Sequence, residues 1–147
     1  AVPPPIAGSR DAGLTVLRGV LEQAGIPRAG YDFSDGSGMS TYNRVSPRAG
    51  VALLRWAQSR PWGAAWRASF PVGGVDGTLQ RRFAGTALHG RIWAKTGTLN
   101  ATNALSGYLQ TASGRELTFS IFANDVPDGG SAVAAMDAAL VLIASTN

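Results

Sequence analysis

The apolar positions of this chain repeat with a helical period in its first half and alternate one-in, one-out in its second. Leu14, Leu17, Leu21 and Ala24 recur at helical spacing, Asp11 stands in the first turn, and Gly25 with Pro27 makes a stop, which predicts a helix over about 10–24. Tyr31 to Asn43 (YDFSDGSGMSTYN) is dense in Ser, Gly and Asp and has no period, so it reads as an irregular loop. Ser46 followed by Pro47 has the form of a helix cap with proline at the first helical position. Val51, Leu54 and Ala57 then supply the buried stripe of a second helix, which must end by Arg60 because Pro61 follows. Trp62, Ala65 and Trp66 predict one more short helix before Pro71. Val72 to Gly77 is again loop, and Thr78 is placed to cap a short helix over about Leu79–Phe83.

Three successive segments then alternate. Ile92, Ala94 and Thr96 interleave with Arg91, Trp93 and Lys95; Leu105, Gly107 and Leu109 with Ser106, Tyr108 and Gln110; Leu117, Phe119 and Ile121 with Thr118, Ser120 and Phe122. Such a run predicts an antiparallel meander, with Thr111 to Arg115 as a hairpin loop in which Gly114 supplies a positive φ. Ser131 can cap a final helix whose Val133, Met136, Leu140 and Ile143 share one face. That helix is apolar on nearly every side and should lie against the sheet. The pattern as a whole is α+β.

Composition narrows the picture. At 147 residues and 45% apolar content the chain suits one domain with a real core, and it is too hydrophobic and too weakly charged to be disordered. Pro3-Pro4-Pro5 makes residues 1–8 an extended tail or linker, leaving 9–147 as the folded portion. The longest apolar stretch, Ala138 to Ala144, is far short of a membrane span, and the amino end lacks the basic-then-apolar form of a signal peptide, so the chain reads as soluble or as numbered after processing. Twelve of its thirteen basic residues are Arg, scattered with no run longer than two, which argues against a nucleic-acid footprint. With no Cys, disulfides, thiol catalysis and Cys-ligated zinc are excluded, a composition that fits an oxidising compartment. The single His, His89, excludes His-paired metal sites, so no metal or cofactor is expected.

Lys95 is the only lysine, at the end of a predicted strand in Trp93-Ala94-Lys95-Thr96-Gly97-Thr98. Lys-Thr-Gly is one of three elements of the penicillin-recognising serine enzymes, beside Ser-x-x-Lys and Ser-x-Asn. The residue types follow from the chemistry. An ammonium and a hydroxyl bind a carboxylate, glycine lets a peptide lie beside the strand, and the next N–H, that of Thr98, can face a developing oxyanion. Taken by itself the tripeptide also fits a solvated lysine before a turn.

Read together, Asp35-Gly36-Ser37-Gly38-Met39-Ser40 with Asn43, Val75-Asp76-Gly77-Thr78-Leu79, Ala94-Lys95-Thr96-Gly97-Thr98-Leu99, Ser106-Gly107-Tyr108 and Ser113-Gly114 resemble, in order and spacing, the carboxyl-terminal part of the D-alanyl-D-alanine carboxypeptidase/endopeptidase family, the class C low-molecular-mass penicillin-binding proteins. The resemblance covers about residues 10–145. It implies a transpeptidase/β-lactamase-like antiparallel sheet flanked by helices, here only its carboxyl-terminal portion. The implied activity is cleavage of the terminal D-Ala of peptidoglycan stem peptides, or of their cross-links, through an acyl-serine that β-lactams trap. By this resemblance Lys95 and Thr96 hold the substrate carboxylate, Gly97 permits close approach and Thr98 offers an oxyanion N–H, in a periplasmic or otherwise external location.

Two elements of that pattern are missing from the places the resemblance gives them. Ser-x-x-Lys is absent because position 92 is Ile; Ser40-Thr41-Tyr42-Asn43 has the wrong spacing for Ser-x-Asn, and Ser145-Thr146-Asn147 stands at the extreme end. The resemblance places both elements upstream, so the chain is expected to be the carboxyl-terminal portion of a longer enzyme, inactive alone and partnered by its upstream segment. Thr41 stands where family members often carry Arg, which removes a recognition point for a second substrate carboxylate. Asp35 to Gly38 and Asp76 to Thr78 are expected to shape loops, His89 to lie on the surface, and Trp56, Trp62 and Trp66 to pack in the core. A non-catalytic peptidoglycan-binding or assembly module is the alternative reading, separated from the enzyme by whether a Ser-x-x-Lys precedes the chain. An Arg-mediated nucleic-acid binder would instead show salt-dependent retention on DNA.

Overall fold

The computed structural model of the chain describes residues 8–147. The tail expected over residues 1–8 therefore lies, except for Gly8, outside the described residues. Helix α1 (Arg10–Gln23) starts where Ser9 Oγ accepts the N–H of Ala12 and stops at Gly25, whose φ of 69° only glycine adopts without cost. The serine-rich loop that follows is closed at its ends. Strands β1 (Tyr31–Asp32) and β2 (Arg44–Val45) pair antiparallel as a short ribbon, a link that the aperiodic sequence did not announce. Helix α2 (Pro47–Gln58) has the expected Ser46 cap and Pro47 start, and α3 (Gly63–Ala68) follows after one turn. Leu21, Ile26, Tyr31 and Ala49 form a small apolar cluster that joins α1 and the ribbon to α2.

The meander is present: β3 (Ile92–Leu99), β4 (Thr102–Gln110) and β5 (Glu116–Ala123) form a sheet in the order β3-β4-β5, all antiparallel. The register pairs Ala94 with Gly107 and Gly107 with Phe119, and residues directly opposite share a face. One face carries Ile92, Ala94, Leu105, Leu109, Leu117, Phe119 and Ile121, and receives Leu140 and Ala144 of helix α4 (Val133–Thr146) together with Leu79, Phe83 and Leu88. The other carries Trp93, Lys95, Ser106, Tyr108 and Ser120 and is covered by α2 and α3. The Tyr108 hydroxyl donates to the Leu54 carbonyl at 2.6 Å and accepts from Trp66 Nε1 at 3.1 Å. Helices thus flank both faces, and no helix among the described residues is long and apolar enough to cross a membrane.

Several local expectations are corrected. No helix runs over Leu79–Phe83; a single turn, Gly77–Leu79, takes its place, because Phe83 (φ 64°) and Gly85 (φ 71°) reverse the chain so that Leu79, Phe83 and Leu88 can all enter the core. Thr78 does not cap that turn; its hydroxyl meets Thr96 instead. In α4 the buried stripe is Met136, Leu140 and Ala144, with Ile143 left 42% exposed. The bidentate Arg82–Asp137 pair holds the helix in that rotation. Ser131 does not cap it, since the N-cap is Ala132, whose own N–H donates to Asn103 Oδ1 on β4 while Ser131 Oγ only accepts the Val133 N–H in a local turn. The tryptophans make an edge-to-face ladder, Trp56–Trp62–Trp66–Phe70–Tyr108, that runs outward to a 45% exposed Trp62 and is only partly core.

Two glycines of the sheet differ in what they demand. A Cβ on Gly107 would lie 2.0 Å from the Trp93 carbonyl oxygen and 2.7 Å from Ala94 Cα, both backbone of β3, whereas one on Gly97 would meet only Ala104 Cβ at 3.4 Å. Gly107→Ala is therefore expected to cost about 3 kcal/mol, the upper end of overpacking costs, and Gly97→Ala less than about 1 kcal/mol. Urea unfolding of both variants checks this; equal midpoints would contradict the register.

Candidate functional site

The edge of β3 away from β4 is covered only at its start. Gly73 donates to the Ile92 carbonyl at 2.9 Å and Ala94 donates to the Pro71 carbonyl at 3.1 Å, around an antiparallel bridge between Val72 and Trp93. Among the described residues no strand continues this pairing beyond Ala94. Since the Ala94 N–H faces outward, the alternation of an antiparallel strand turns the N–H and C=O of Thr96 and Thr98 to the same open edge.

Lys95 and Thr96 flank that edge from opposite faces. Lys95 lies opposite Ser106 on the α2 side, Thr96 opposite Leu105 on the α4 side. The Lys95 ammonium bends back over the edge to the Thr96 carbonyl at 2.6 Å, and Thr96 Oγ1 donates to Thr78 Oγ1 at 3.0 Å. A ligand touching both side chains must therefore lie along the edge itself. Gly97 is half-buried, has no positive φ and has room for a methyl group, so nothing in the described fold requires glycine there.

Two hollows flank the far end of β3. A groove of about 540 Å³ runs between Gly38, Ser40, Thr41 and Arg44 on one side and Leu99 and Phe122 on the other. It brings the DGSG loop to the end of the Lys-Thr-Gly strand, a juxtaposition that no sequence spacing states. A second hollow of about 450 Å³ lies beyond Thr98, between Asn103 and the Val126–Gly130 loop. The DGSG loop is held from within. The Asp35 carboxylate accepts Ser37 Oγ at 2.9 Å, Asn43 Nδ2 at 2.8 Å and the N–H groups of Gly38 and Ser40 at 3.2 and 3.0 Å. Asn43 Oδ1 accepts the Ser34 N–H in return at 2.8 Å, and Gly38 takes a φ of 78°.

The other candidates fall outside this edge. Ser145-Thr146-Asn147 closes α4 beside the β4–β5 hairpin, where Ser113 N–H donates to the Asn147 carbonyl; that is the end of the sheet opposite Thr98. His89 is exposed, with its ring against Gly74, where a Cβ would come 2.2 Å from Nδ1. Asp76 binds the Val72 N–H at 2.7 Å and shapes its turn. Among the described residues no group of His, Asp and Glu is arranged to hold a metal ion. The residue that sequence reasoning passed over is Thr78, placed as a helix cap although its hydroxyl lies on Thr96, eighteen positions away. Only the fold joins the two.

The sequence pattern of the D-Ala-D-Ala carboxypeptidase 3 (S13) family matches residues 4–146. The chain is 43% identical over 143 residues to a D-alanyl-D-alanine carboxypeptidase of an Actinomadura species, covering 94% of this chain and 26% of that protein. It is 36% identical over 145 residues to carboxypeptidase DacB of Mycolicibacterium smegmatis, covering 94% and 31%. In three dimensions it matches the crystal structure of penicillin binding protein 4 (dacB) from Haemophilus influenzae with a TM-score of 0.74 and 29% identity, over 80% of this chain and 26% of that one. The chain thus spans about a quarter to a third of the length of these curated relatives.

The Asp35 cluster has a pH signature. Hydrogen bonds from Asn43 and Ser37 hold the Asp35 carboxyl below its ordinary range, outweighing its partial desolvation. The folded loop binds the proton less readily than the unfolded one, so its contribution is complete above about pH 4 and is lost as pH falls through the lowered native value. The Gly38 and Ser40 amide resonances should stay dispersed down to about pH 4 and collapse below it. In Asp35→Asn that titration should vanish; a collapse centred well above pH 4 would contradict the hydrogen-bond pattern.

Proposed function

The chain belongs to the D-Ala-D-Ala carboxypeptidase 3 (S13) family, and on that premise we propose that its 147 residues form the carboxylate-binding and oxyanion edge of a serine D,D-peptidase acting on peptidoglycan stem peptides. In this reading a serine supplied by the remainder of the protein attacks the carbonyl of the penultimate D-Ala. The amine of the terminal D-Ala leaves with a proton, and water later hydrolyses the acyl-serine. Lys95 and Thr96 hold the terminal carboxylate, and the Thr98 N–H donates to the oxyanion. A β-lactam carries a carboxylate beside a reactive carbonyl and would occupy the same edge; penicillin binding protein 4 of Haemophilus influenzae was crystallised with a novel β-lactam.

The observation that carries the reading is the open edge of β3. Outward N–H groups at Thr96 and Thr98, an ammonium bent over the same edge and a glycine that the fold itself does not require are what an extended peptide ending in a carboxylate needs. Peptidoglycan lies outside the cytoplasmic membrane, so the proposal includes a periplasmic or cell-envelope location. It also includes the division of the chain into a tail over 1–8 and the carboxyl-terminal portion of a transpeptidase-like domain over 9–147. The 147 residues hold no Ser-x-x-Lys, so the nucleophile and its activating lysine are assigned to the rest of the protein.

The 147-residue chain by itself should therefore gain no penicilloyl mass on incubation with benzylpenicillin, while the full-length protein should gain one; a stoichiometric adduct on this chain would overturn the assignment. No label on the full-length protein would favour a non-catalytic peptidoglycan-binding module. In the full-length protein Lys95→Ala should slow acylation about tenfold to a hundredfold, the worth of a charged hydrogen bond, with an unchanged melting temperature. Thr98→Pro deletes the backbone donor and should cost about a hundredfold to a thousandfold, whereas Thr98→Ala keeps it and should cost far less. Equal effects at Thr98, with both variants folded by circular dichroism, would remove it from the oxyanion site.

A further inference from the structure

Thr78 has no part in the reading above, yet it touches the site directly. Its turn is built to hold that contact. Leu79 is fully buried in the core, its carbonyl accepts the Gly74 N–H at 3.0 Å, and the Asp76 carboxylate accepts the Val72 N–H at 2.7 Å. Gly77 takes a φ of 50°, with Pro71 3.1 Å from where its Cβ would be. All three anchors lie on the segment that covers the start of the β3 edge or in the core beneath it. They present an exposed Thr78 hydroxyl to Thr96 Oγ1 at 3.0 Å.

A hydroxyl has one proton and two lone pairs, and a carboxylate only accepts. In the free chain Thr96 donates its proton to Thr78. To hold a carboxylate it must give that proton to the ligand, which frees its own oxygen as an acceptor. In the free chain only Thr96 is the donor, so the Thr78 hydroxyl must reorient before it can donate across the 3.0 Å separation to Thr96. We propose that Thr78 is a positioning residue for carboxylate recognition: its hydroxyl fixes the Thr96 rotamer and, when a carboxylate binds, donates to Thr96 Oγ1 so that the Thr96 proton is directed at the ligand. The inference rests on the assignment of Thr96 to the carboxylate site. The chain of donors Thr78, Thr96, carboxylate polarises in one direction, which strengthens the terminal bond. Thr78 acts only through Thr96 and does not touch substrate.

The test measures second-order acylation rates of the full-length protein with benzylpenicillin and with its methyl ester, which lacks the anion. Thr78→Val keeps the side-chain shape and removes the hydroxyl. It should lower the rate for the acid about threefold to tenfold and leave the slower rate for the ester unchanged. Thr78→Ser should restore the acid rate to within about twofold, because it restores the donor. Thr78→Ala, read by the same acid-to-ester ratio, covers the case in which valine disturbs the turn. Thr96→Val should lower the acid rate, and adding Thr78→Val to it should cost nothing more. Equal losses for acid and ester, no loss for either, or additive losses in the double variant would overturn the role of Thr78 while leaving Thr96 in the site. An unchanged acid rate in Thr96→Val would overturn the carboxylate site and this inference with it.

Discussion

The burial of one face of the three-stranded sheet under α4 and the 79–88 segment decides where the atoms of the candidate site stand. Ile92, Ala94, Leu105 and Leu109 are almost fully excluded from water, each larger side chain contributing roughly 1.5–3 kcal/mol. Strand side chains alternate, so a slip of one residue in β3 would turn this set to the opposite face and exchange the positions of Lys95 and Thr96. The hydrophobic face therefore holds the polar edge in register. Gly107 adds a second lock, because the β3 backbone lies where its side chain would be and a shifted register would bring a larger residue there.

The opposite face is held by polar and aromatic contacts. Tyr108 crosses from the central strand to the Leu54 carbonyl in α2, and burial pushes its hydroxyl pKa up, so it stays a neutral donor there. Arg67 stacks over Trp93 at 4.0 Å and pairs with Glu116, which also receives Gln58. Burial raises the Glu116 pKa, but the Arg67 and Gln58 hydrogen bonds outweigh it and leave the carboxyl below its ordinary value. Its contribution is thus present at neutral pH and lost only as pH falls into the acid range. Because Trp93 stands two residues before Lys95, the same contacts steady the strand that carries Lys95 and Thr96.

Much of this fold is legible in the residues. The three alternating segments, the Ser9 and Ser46 caps, the positive φ of Gly114 and the apolar last helix all follow from local rules, because each depends on neighbours within a turn or a strand. The misses share a cause. Thr78, the β1–β2 ribbon and the rotation of α4 are each settled by a partner far along the chain: Thr96, Val45 with Tyr31, and Arg82 with Asp137. Local propensity favoured a cap at Thr78 and a stripe ending at Ile143, and long-range packing overrode both.

By itself the sequence determined the class of fold, the position of the Lys-Thr-Gly strand, the family resemblance and the absence of Cys and of any Ser-x-x-Lys from these residues. These are matters of residue type and spacing, and they survive any arrangement of the chain in space. Only the tertiary structure decided that the edge of β3 opens just beyond Ala94, that Lys95 and Thr96 flank it from opposite faces, and that Gly97 is free where Gly107 is not. It also brought the DGSG loop and the Thr78 hydroxyl to that strand. The physical reason is that an edge, a cleft and a hydroxyl pair are relations between segments joined by packing, and no local period records which segments will meet.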